Sequence, residues 1–257
     1  MKKILLFTLC LFISQAGFSW GQTGHRTVGK IASKHLKKRT KRHLARIMGH
    51  ESLAIASTWM DEVRSDGSYD HMTDWHWVTV PEGETYSQTD KNPNGDIIAT
   101  LERLIEELKA NHENMPAAQQ REYIRIITHL VGDIHQPLHV GTGLDRGGND
   151  TKVTWFWNTS TNLHSVWDSR MIDEKQLSYT ELAEAIDHTS NSDLEQWQSA
   201  SVRDWAMESM SYRDQVYDVP EDGQINYVYL YNNWDTVTHR LQQAGIRLAG
   251  VLNDIYG

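Results

Sequence analysis

Apolar residues recur every three or four positions along most of the chain, which is the spacing that places side chains on one face of an α-helix. Proline at position 137 cannot continue a helix and ends the third of these stretches. The helical patterns begin after Thr23 and run from Asp96 to Leu108, Ala117 to His135, Tyr179 to His188, Leu194 to Met210 and Tyr227 to Asp254, with Gly245 as a candidate break. We therefore predict an all-α fold, a single mainly helical domain.

Two long polar stretches interrupt the helical pattern. They run from Arg64 to Asn94 and from Gly141 to Asn162, and both are rich in glycine, asparagine, aspartate and tryptophan. Loops of this length in a compact helical domain usually carry function. The basic run from Lys37 to Arg42 looks like a nucleic-acid patch, but its place between two helical patterns predicts a solvated turn.

The N-terminus has the pattern of a secretory leader. Lys2 and Lys3 precede an apolar run from Ile4 to Ile13, and small residues lead up to Ser19. This order is typical of a signal peptide, which predicts cleavage before Trp20. The run is too short to span a membrane, and no later stretch reaches about 18 apolar residues. We expect residues 1–19 to be removed and residues 20–257 to form one catalytic domain, exported to the periplasm or secreted, without a membrane partner.

Composition narrows the chemistry of the exported chain. Its single cysteine, Cys10, lies in the predicted leader, so the mature protein has no disulfide and no thiolate ligand. The formal net charge of −9 argues against long-range attraction to nucleic acid or to an anionic membrane. Any phosphate would have to be attracted by local charge, such as bound divalent cations.

Histidine and aspartate are clustered in a pattern typical of metal ligands. His129 and Asp133 are four residues apart and share one helix face, and His139 follows just after the end of that helix. His164 and Asp168 repeat the same spacing. Imidazole and carboxylate without thiolate suit zinc, with manganese and iron as competitors.

Further candidate ligands lie nearer the N-terminus. Asp61 is followed fifteen residues later by His76, and His71 is a competing partner that the spacing favours less. If cleavage occurs before Trp20, its α-amine and carbonyl oxygen can close a five-membered chelate ring on a metal. His25 is then the next available ligand.

These motifs, taken together and in order, resemble the S1/P1 nuclease family. The resemblance implies a mainly helical fold of the phospholipase C/P1 nuclease type, with long active-site loops and three zinc ions in a cleft. It also implies cleavage of single-stranded DNA and RNA to 5′-mononucleotides, and removal of the 3′-phosphate from 3′-nucleotides. The matching segments are Trp20-Gly21-x-x-Gly24-His25, Asp61 with His76, His129 to His139, Asp145 to Asn149, Asn162 to Asp168, Trp205 to Ser209 and Ala244 to Ala249.

The resemblance implies a ligand set for each of three Zn²⁺ ions, and this chain has a suitable residue at every position. The sets are Asp61, His76, His129 and Asp133 for the first ion; Trp20, His25 and Asp133 for the second; and His139, His164 and Asp168 for the third. Asp133 would therefore bridge two ions. A hydroxide between those two ions would attack the phosphodiester, and the third ion would stabilise the leaving oxygen.

Two residues are expected to contact substrate. The resemblance implies that the Asn149 amide holds a phosphate oxygen beside Asp133 in the catalytic centre. The alternative is a turn residue chosen because it tolerates the left-handed conformation. Trp77 is the candidate for base stacking, which tolerates any sequence. Fungal members have an aspartate where this chain has Thr79, so base preference is left open.

Three other polar residues near the motifs have structural alternatives. On a helix, His135 points about 200° away from Asp133, which favours packing over metal ligation. Asp145 and Asp150 flank the Gly147-Gly148 turn and are either partners that orient ligands or solvated loop carboxylates.

Two other functions fit part of the pattern. A zinc-dependent phospholipase C resembles the chain in its three-zinc cluster, but it carries glutamate where this chain has Asp168. The other candidate is a non-catalytic exported zinc-binding protein, which would not need an asparagine for phosphate. We expect a monomeric nuclease acting on single-stranded nucleic acid and 3′-nucleotides.

Overall fold

The computed structural model describes residues 20–257, and the predicted leader lies outside the described residues. The predicted mainly helical fold is confirmed. The helices are α1 (Gln22–His35), α2 (Lys38–Met48), α3 (Leu53–Ala56), α4 (Trp59–Glu62), α5 (Ile97–Asn111), α6 (Ala117–Ile134), α7 (Leu163–Ser165), α8 (Met171–Glu174), α9 (Tyr179–Ile186), α10 (Asn191–Ser199), α11 (Val202–Ser211), α12 (Arg213–Val216) and α13 (Tyr227–Tyr256). The short strands are β1 (Val78–Thr79), β2 (Val140–Gly141), β3 (Lys152–Trp155), β4 (Thr159–Asn162) and β5 (Gln224–Ile225).

The core forms where α13 packs along α1 and α6, and the apolar stripes of these helices are buried. The expected break in α13 is wrong, because the helix runs unbroken through Gly245. A Cβ at this position would lie 2.6 Å from the Cβ of Ile31, so the glycine lets α1 approach closely. Within residues 20–257, no helix combines the length and apolar character that crossing a bilayer requires.

Two other local expectations are corrected. The pattern from Leu194 to Met210 forms two helices, because Ser201 begins α11 as a capping box with Asp204. The basic run, predicted as a turn, lies largely in the first turns of α2, where its charged side chains are solvated.

The two polar stretches contain ordered structure that positions the site. In the first, a 3₁₀ segment (Gly67–His76) leads into β1, which pairs in parallel with β2. This pairing brings the chain after His76 beside the chain after His139. In the second stretch, β3 and β4 form an antiparallel hairpin, with Lys152 opposite Asn162. The middle of the first stretch and the start of the second therefore lie side by side, shortly after the C-terminal end of α6.

Candidate metal centre

The last turns of α6 carry two buried side chains that face each other. His129 and Asp133 lie four residues apart, and Nε2 of His129 is 3.1 Å from Oδ2 of Asp133. The other ring nitrogen of His129, Nδ1, donates to the carbonyl of Ser57 at 2.7 Å. A backbone acceptor of this kind fixes the tautomer and directs the Nε2 lone pair toward the cluster.

His76 completes a compact group around the same carboxylate oxygen. Its Nδ1 is 2.9 Å from Oδ2 of Asp133 and 3.1 Å from Nε2 of His129. Oδ1 of Asp61 lies 4.0 Å from Nε2 of His129. One nitrogen donor and one carboxylate oxygen would form an ordinary hydrogen bond. Two imidazole nitrogens converging on one oxygen are the arrangement that a shared cation requires.

The second oxygen of Asp133 faces α1. Nε2 of His25 is 3.2 Å from Oδ1 of Asp133, and the His25 ring stacks on that of His129 with centroids 4.0 Å apart. Gly132 makes room for this ring, since a Cβ there would lie 2.7 Å from Nδ1 of His25. Asp133 thus presents one oxygen to each of two neighbouring groups, as a bridging carboxylate must.

Trp20 is buried at the start of α1. The next residue, Gly21, donates its N–H to the carbonyl of Asp168 at 2.6 Å. The N-terminal segment of the predicted mature chain is therefore held beside the third group of candidate ligands, with His25 one turn further along α1.

The third group consists of His139, His164 and Asp168, all buried. Nε2 of His164 is 3.0 Å from Oδ2 of Asp168, and Nε2 of His139 is 3.6 Å from Oδ1. Gln136 donates its amide N–H to the same Oδ1 at 2.7 Å. His139 Nε2 is buried and has no hydrogen-bond partner among residues 20–257, because 3.6 Å is too long.

Backbone carbonyls orient the rings of this group as well. Nδ1 of His139 donates to the carbonyl of His76, and Nδ1 of His164 to that of Gly147, at 2.7 and 2.6 Å. Gly147 has φ = 61°, and a Cβ there would come within 2.3 Å of the carbonyl oxygen of Leu138. Only glycine fits this turn, so the turn and the ring orientation depend on it.

The spacing and charge of these groups fit divalent metal ions. Two ligand atoms on one tetrahedral zinc ion are about 3.3 Å apart, and most of the nitrogen–oxygen distances here lie close to that value. Burial alone would raise the pKa of Asp133, but the imidazoles around it hold that pKa well below its usual value. Burial lowers the pKa of His76 to about 4, so this ring is a neutral donor.

The carboxylates around His139 favour a positive charge at its ring. Burial opposes protonation of this histidine, but Asp133 and Asp168 outweigh it and raise the pKa to about 9. A divalent cation between the same carboxylates would supply that positive charge in place of the proton.

The structure brings the predicted histidine and aspartate ligands together in three groups, and the first two groups differ in membership from the predicted sets. The expected first set is represented by His76, His129 and Asp133, whereas Asp61 groups with His25 and His129. Asp61 therefore lies between the first and second predicted sites. The ligand assignment as a whole remains a prediction.

A cleft of about 480 Å³ opens onto the metal centre. Trp77 lines it and is 39% exposed, as a stacking platform would be. Asn149 lines it too, and its Nδ2 donates to the carbonyl of Arg146 at 2.9 Å. The left-handed residues of this turn are Arg146, Gly147 and Gly148, so left-handed geometry does not account for Asn149.

Three residues with open interpretations lie outside the ligand groups. The ring of His135 donates from Nδ1 to the carbonyl of Val131, and its Nε2 accepts from Arg247. Asp145 accepts from Tyr217 and Thr151, and Asp150 pairs with Arg146. None of these three contacts a candidate metal ligand through those bonds, and the two aspartates hold the loop that carries Asn149.

Two residues of the site were missed by the sequence reasoning. Arg64 lines the cleft, with Nε 3.4 Å from Oδ1 of Asp61, and its position three residues after Asp61 on helical backbone was the available signal. Gln136 lies between two expected ligands in sequence and bonds Asp168. Its amide gave no pattern that could be read in advance.

The chain is similar to known nucleases over most of its length. The S1/P1 Nuclease family model matches residues 20–257. Endonuclease 4 of Arabidopsis thaliana is 28% identical over 92% of this chain and 89% of its own length. Nuclease S1 of Aspergillus oryzae is 29% identical over 66% of this chain and 60% of its own length, and nuclease P1 of Penicillium citrinum is 24% identical over 93% and 98%. The chain belongs to the S1/P1 nuclease family.

Proposed function

We propose that this nuclease is an exported zinc enzyme that hydrolyses single-stranded DNA and RNA to products with 5′-phosphates. We further propose that it removes the phosphate from 3′-nucleotides. The observation that carries the proposal is Asp133, whose two carboxylate oxygens face separate histidines, one of which, His76, lines the cleft.

We assign three zinc ions to the predicted ligands. The first would be held by Asp61, His76, His129 and Asp133, the second by Trp20, His25 and Asp133, and the third by His139, His164 and Asp168. Zinc supplies Lewis acidity, activating water near neutral pH and neutralising charge on the phosphoryl and leaving oxygens. The protein supplies buried imidazoles whose outer nitrogens are fixed by backbone carbonyls, so the inner nitrogens already face the ligand groups.

Local charge favours a phosphate substrate although the whole chain is acidic. Arg64, Arg146 and Lys152 line the cleft of a protein whose formal net charge is −9. The side-chain amide of Asn149 has a second N–H besides the one bonded to Arg146, and this donor would hold a phosphate oxygen.

The preference for single strands follows from the access that Trp77 offers. Its indole is partly exposed at the cleft, where a base can stack only after leaving a duplex. Stacking does not depend on sequence, so the proposed enzyme accepts any base there. Thr79 replaces the carboxylate of fungal members and leaves the base edge without a charged partner.

Export would be part of maturation. Removal of residues 1–19 would release the α-amine of Trp20, which together with its carbonyl completes the second zinc site. The periplasm or the extracellular space is the proposed location, on the strength of the leader pattern alone.

The test is hydrolysis of single-stranded DNA, RNA and 3′-AMP by zinc-loaded protein, with His129→Ala as the control. We expect acid-soluble 5′-phosphorylated products and slower cleavage of duplex. Turnover of all three substrates at the level of the His129→Ala protein, with three zinc ions bound to the wild type, would refute the proposed activity. Phosphocholine release from lecithin without nucleotide release would indicate the phospholipase alternative.

A further inference from the structure

A second cavity adjoins the metal centre, because His76 lines it as well as the cleft. This side pocket has a volume of about 360 Å³, within the range of about 300–1,000 Å³ that small-molecule sites occupy. It is formed where α4 leads into the 3₁₀ segment before β1. Its lining residues are Met60, Val63, Arg64, Tyr69, Asp70, Met72, Thr73, His76 and Trp77.

The cleft and the side pocket meet at three residues. Arg64, His76 and Trp77 line both cavities, and His76 is a candidate metal ligand. A phosphodiester held at this boundary has one nucleoside on each side of it. The side pocket begins at the same three residues as the cleft, so it lies next to the nucleoside that the cleft does not hold.

The chemistry of the side pocket suits a base and not a phosphate. Met60 and Met72 are buried in its wall, and Tyr69 and Trp77 add aromatic surface. Among the described residues that line the side pocket and not the cleft, Asp70 is the one charged residue, and its exposed carboxylate repels phosphate. Apolar and aromatic walls favour a flat, uncharged ring.

We propose that the side pocket is a second base subsite, which holds the base of the nucleoside that the cleft does not hold. This inference rests on the proposed phosphodiesterase activity. Cleavage of a dinucleotide then engages both cavities. A phosphodiester with a single base engages the cavity that fits its nucleoside.

The experiment fills each cavity in turn with the same side chain. Thr73→Trp places an indole in the side pocket, which Thr73 lines. The matched control Thr79→Trp places one in the cleft, because Thr79 lines the cleft and Thr73 does not. The substrates are thymidylyl-thymidine and its two one-base analogues, the methyl esters of thymidine 3′-phosphate and of thymidine 5′-phosphate. All three are diesters of equal charge.

We expect Thr73→Trp to lower kcat/KM for the dinucleotide and for the ester whose base the side pocket holds. The decrease should be about tenfold or more, relative to the effect on the other ester. Thr79→Trp should give the complementary pattern, with the two esters exchanged. Tyr69→Ala, which removes aromatic wall without adding bulk, should lower dinucleotide turnover in the same direction by several-fold. Bound zinc and the melting temperature of each variant establish that it is folded.

Failure of this inference differs from failure of the proposed function. If Thr73→Trp changes all three substrates by one common factor, or none of them, the side pocket is not a base subsite, although the enzyme remains a phosphodiesterase. If the wild type hydrolyses none of the three, the proposed function fails as well.

Discussion

Two buried polar clusters lie at the end of α6, and they reach electrostatic balance in different ways. The first is the metal centre, in which Asp133 faces histidines from α1, α6 and the 3₁₀ segment. The second, here called the arginine cluster, consists of His135, Glu208, Arg240 and Arg247. It lies against α11 and α13, and its members bond one another directly.

The arginine cluster is complete within the chain. Arg240 and Arg247 are 0% and 1% exposed, and Glu208 bonds both of them at 2.6–2.7 Å. Burial and the two guanidiniums hold the pKa of His135 well below its usual value, so its neutral Nε2 accepts from Arg247 at 2.9 Å. Each donor has an acceptor, as a buried network requires.

The end of α6 depends on this second cluster. Arg240 donates to the carbonyl of His135, and Ser209 donates to the carbonyl of Ile134 at 2.5 Å. These carbonyls have no partner within the helix, and positive side chains near a helix C-terminus are favourable. In the metal centre, by contrast, nitrogens and carboxylate oxygens converge in three groups that suit a cation from outside the chain. The difference separates a structural network from a binding site that uses similar residue types.

The largest expected effect is the loss of a ligand. His129→Ala removes a nitrogen that belongs to two of the three ligand groups. Removing a residue that only hydrogen-bonds a metal ligand costs up to about a hundredfold, so we expect loss of the ligand itself to lower kcat/KM by more than that. Bound zinc, measured by elemental analysis, should fall in parallel. His71→Ala is the control, since His71 is exposed, bonds the carbonyl of Ser68 and packs edge-on against Trp75, away from the ligand groups. Equal activity of the two variants would contradict the assignment.

Chelation should destabilise the metal centre and leave the arginine cluster intact. A ligand at a thousand times its dissociation constant stabilises a fold by about 4 kcal/mol per site. Treatment with EDTA should therefore lower the melting temperature, and zinc should restore it. The same shift in wild type and in His129→Ala would show that the effect does not come from this centre.

Glu208→Gln should destabilise the fold without changing zinc content. It leaves two buried guanidiniums with no carboxylate, which we expect to cost about 2 kcal/mol, reduced from a fully buried case because Glu208 is 35% exposed. Glu102→Gln is the matched control, because Glu102 forms an ion pair with Arg203 at the surface. Denaturant unfolding should show at most about 0.5 kcal/mol for that control. Equal costs would show that the arginine cluster is no stronger than a surface pair.

The smallest expected effect is on the acid dependence of stability. Burial opposes ionisation of Glu208, but Arg247 and Arg240 outweigh it and lower its pKa. Its contribution is therefore present above the ordinary glutamate pKa and is lost as pH falls through the lowered value. In the presence of chelator, the unfolding free energy of Glu208→Gln should decline less steeply with acid than that of wild type. Parallel pH profiles would exclude this contribution.

The sequence predicted the parts of the site that are local. His129 and Asp133 share a helix face, and so their meeting can be read from their spacing. The approach of His76 to this pair depends on parallel pairing of β1 with β2, which is a contact between distant segments. The carbonyl of Gly147 that orients His164 depends on a turn of three left-handed residues.

The arginine cluster was not predicted, although Glu208 and Arg247 lie in segments that carry the family resemblance. Glu208, Arg240 and Arg247 stand at helical spacings that a solvated face would also show. Their burial is decided by how α11 and α13 pack on α6, which the spacing of residues does not show. Gly245 is a second position whose role depends on packing between helices. A glycine within a helical pattern predicts a break, whereas here it allows close packing of Ile31.

Native mass spectrometry of the exported protein tests the central claim most directly, since it reports the N-terminus and the number of bound ions together. The account predicts a chain that begins at Trp20 and carries three zinc ions. A form that retains Ser19, whose Trp20 nitrogen lies in a peptide bond, should hold the second ion more weakly and carry two. Three tightly held ions in both forms, or none in the chain that begins at Trp20, would contradict it.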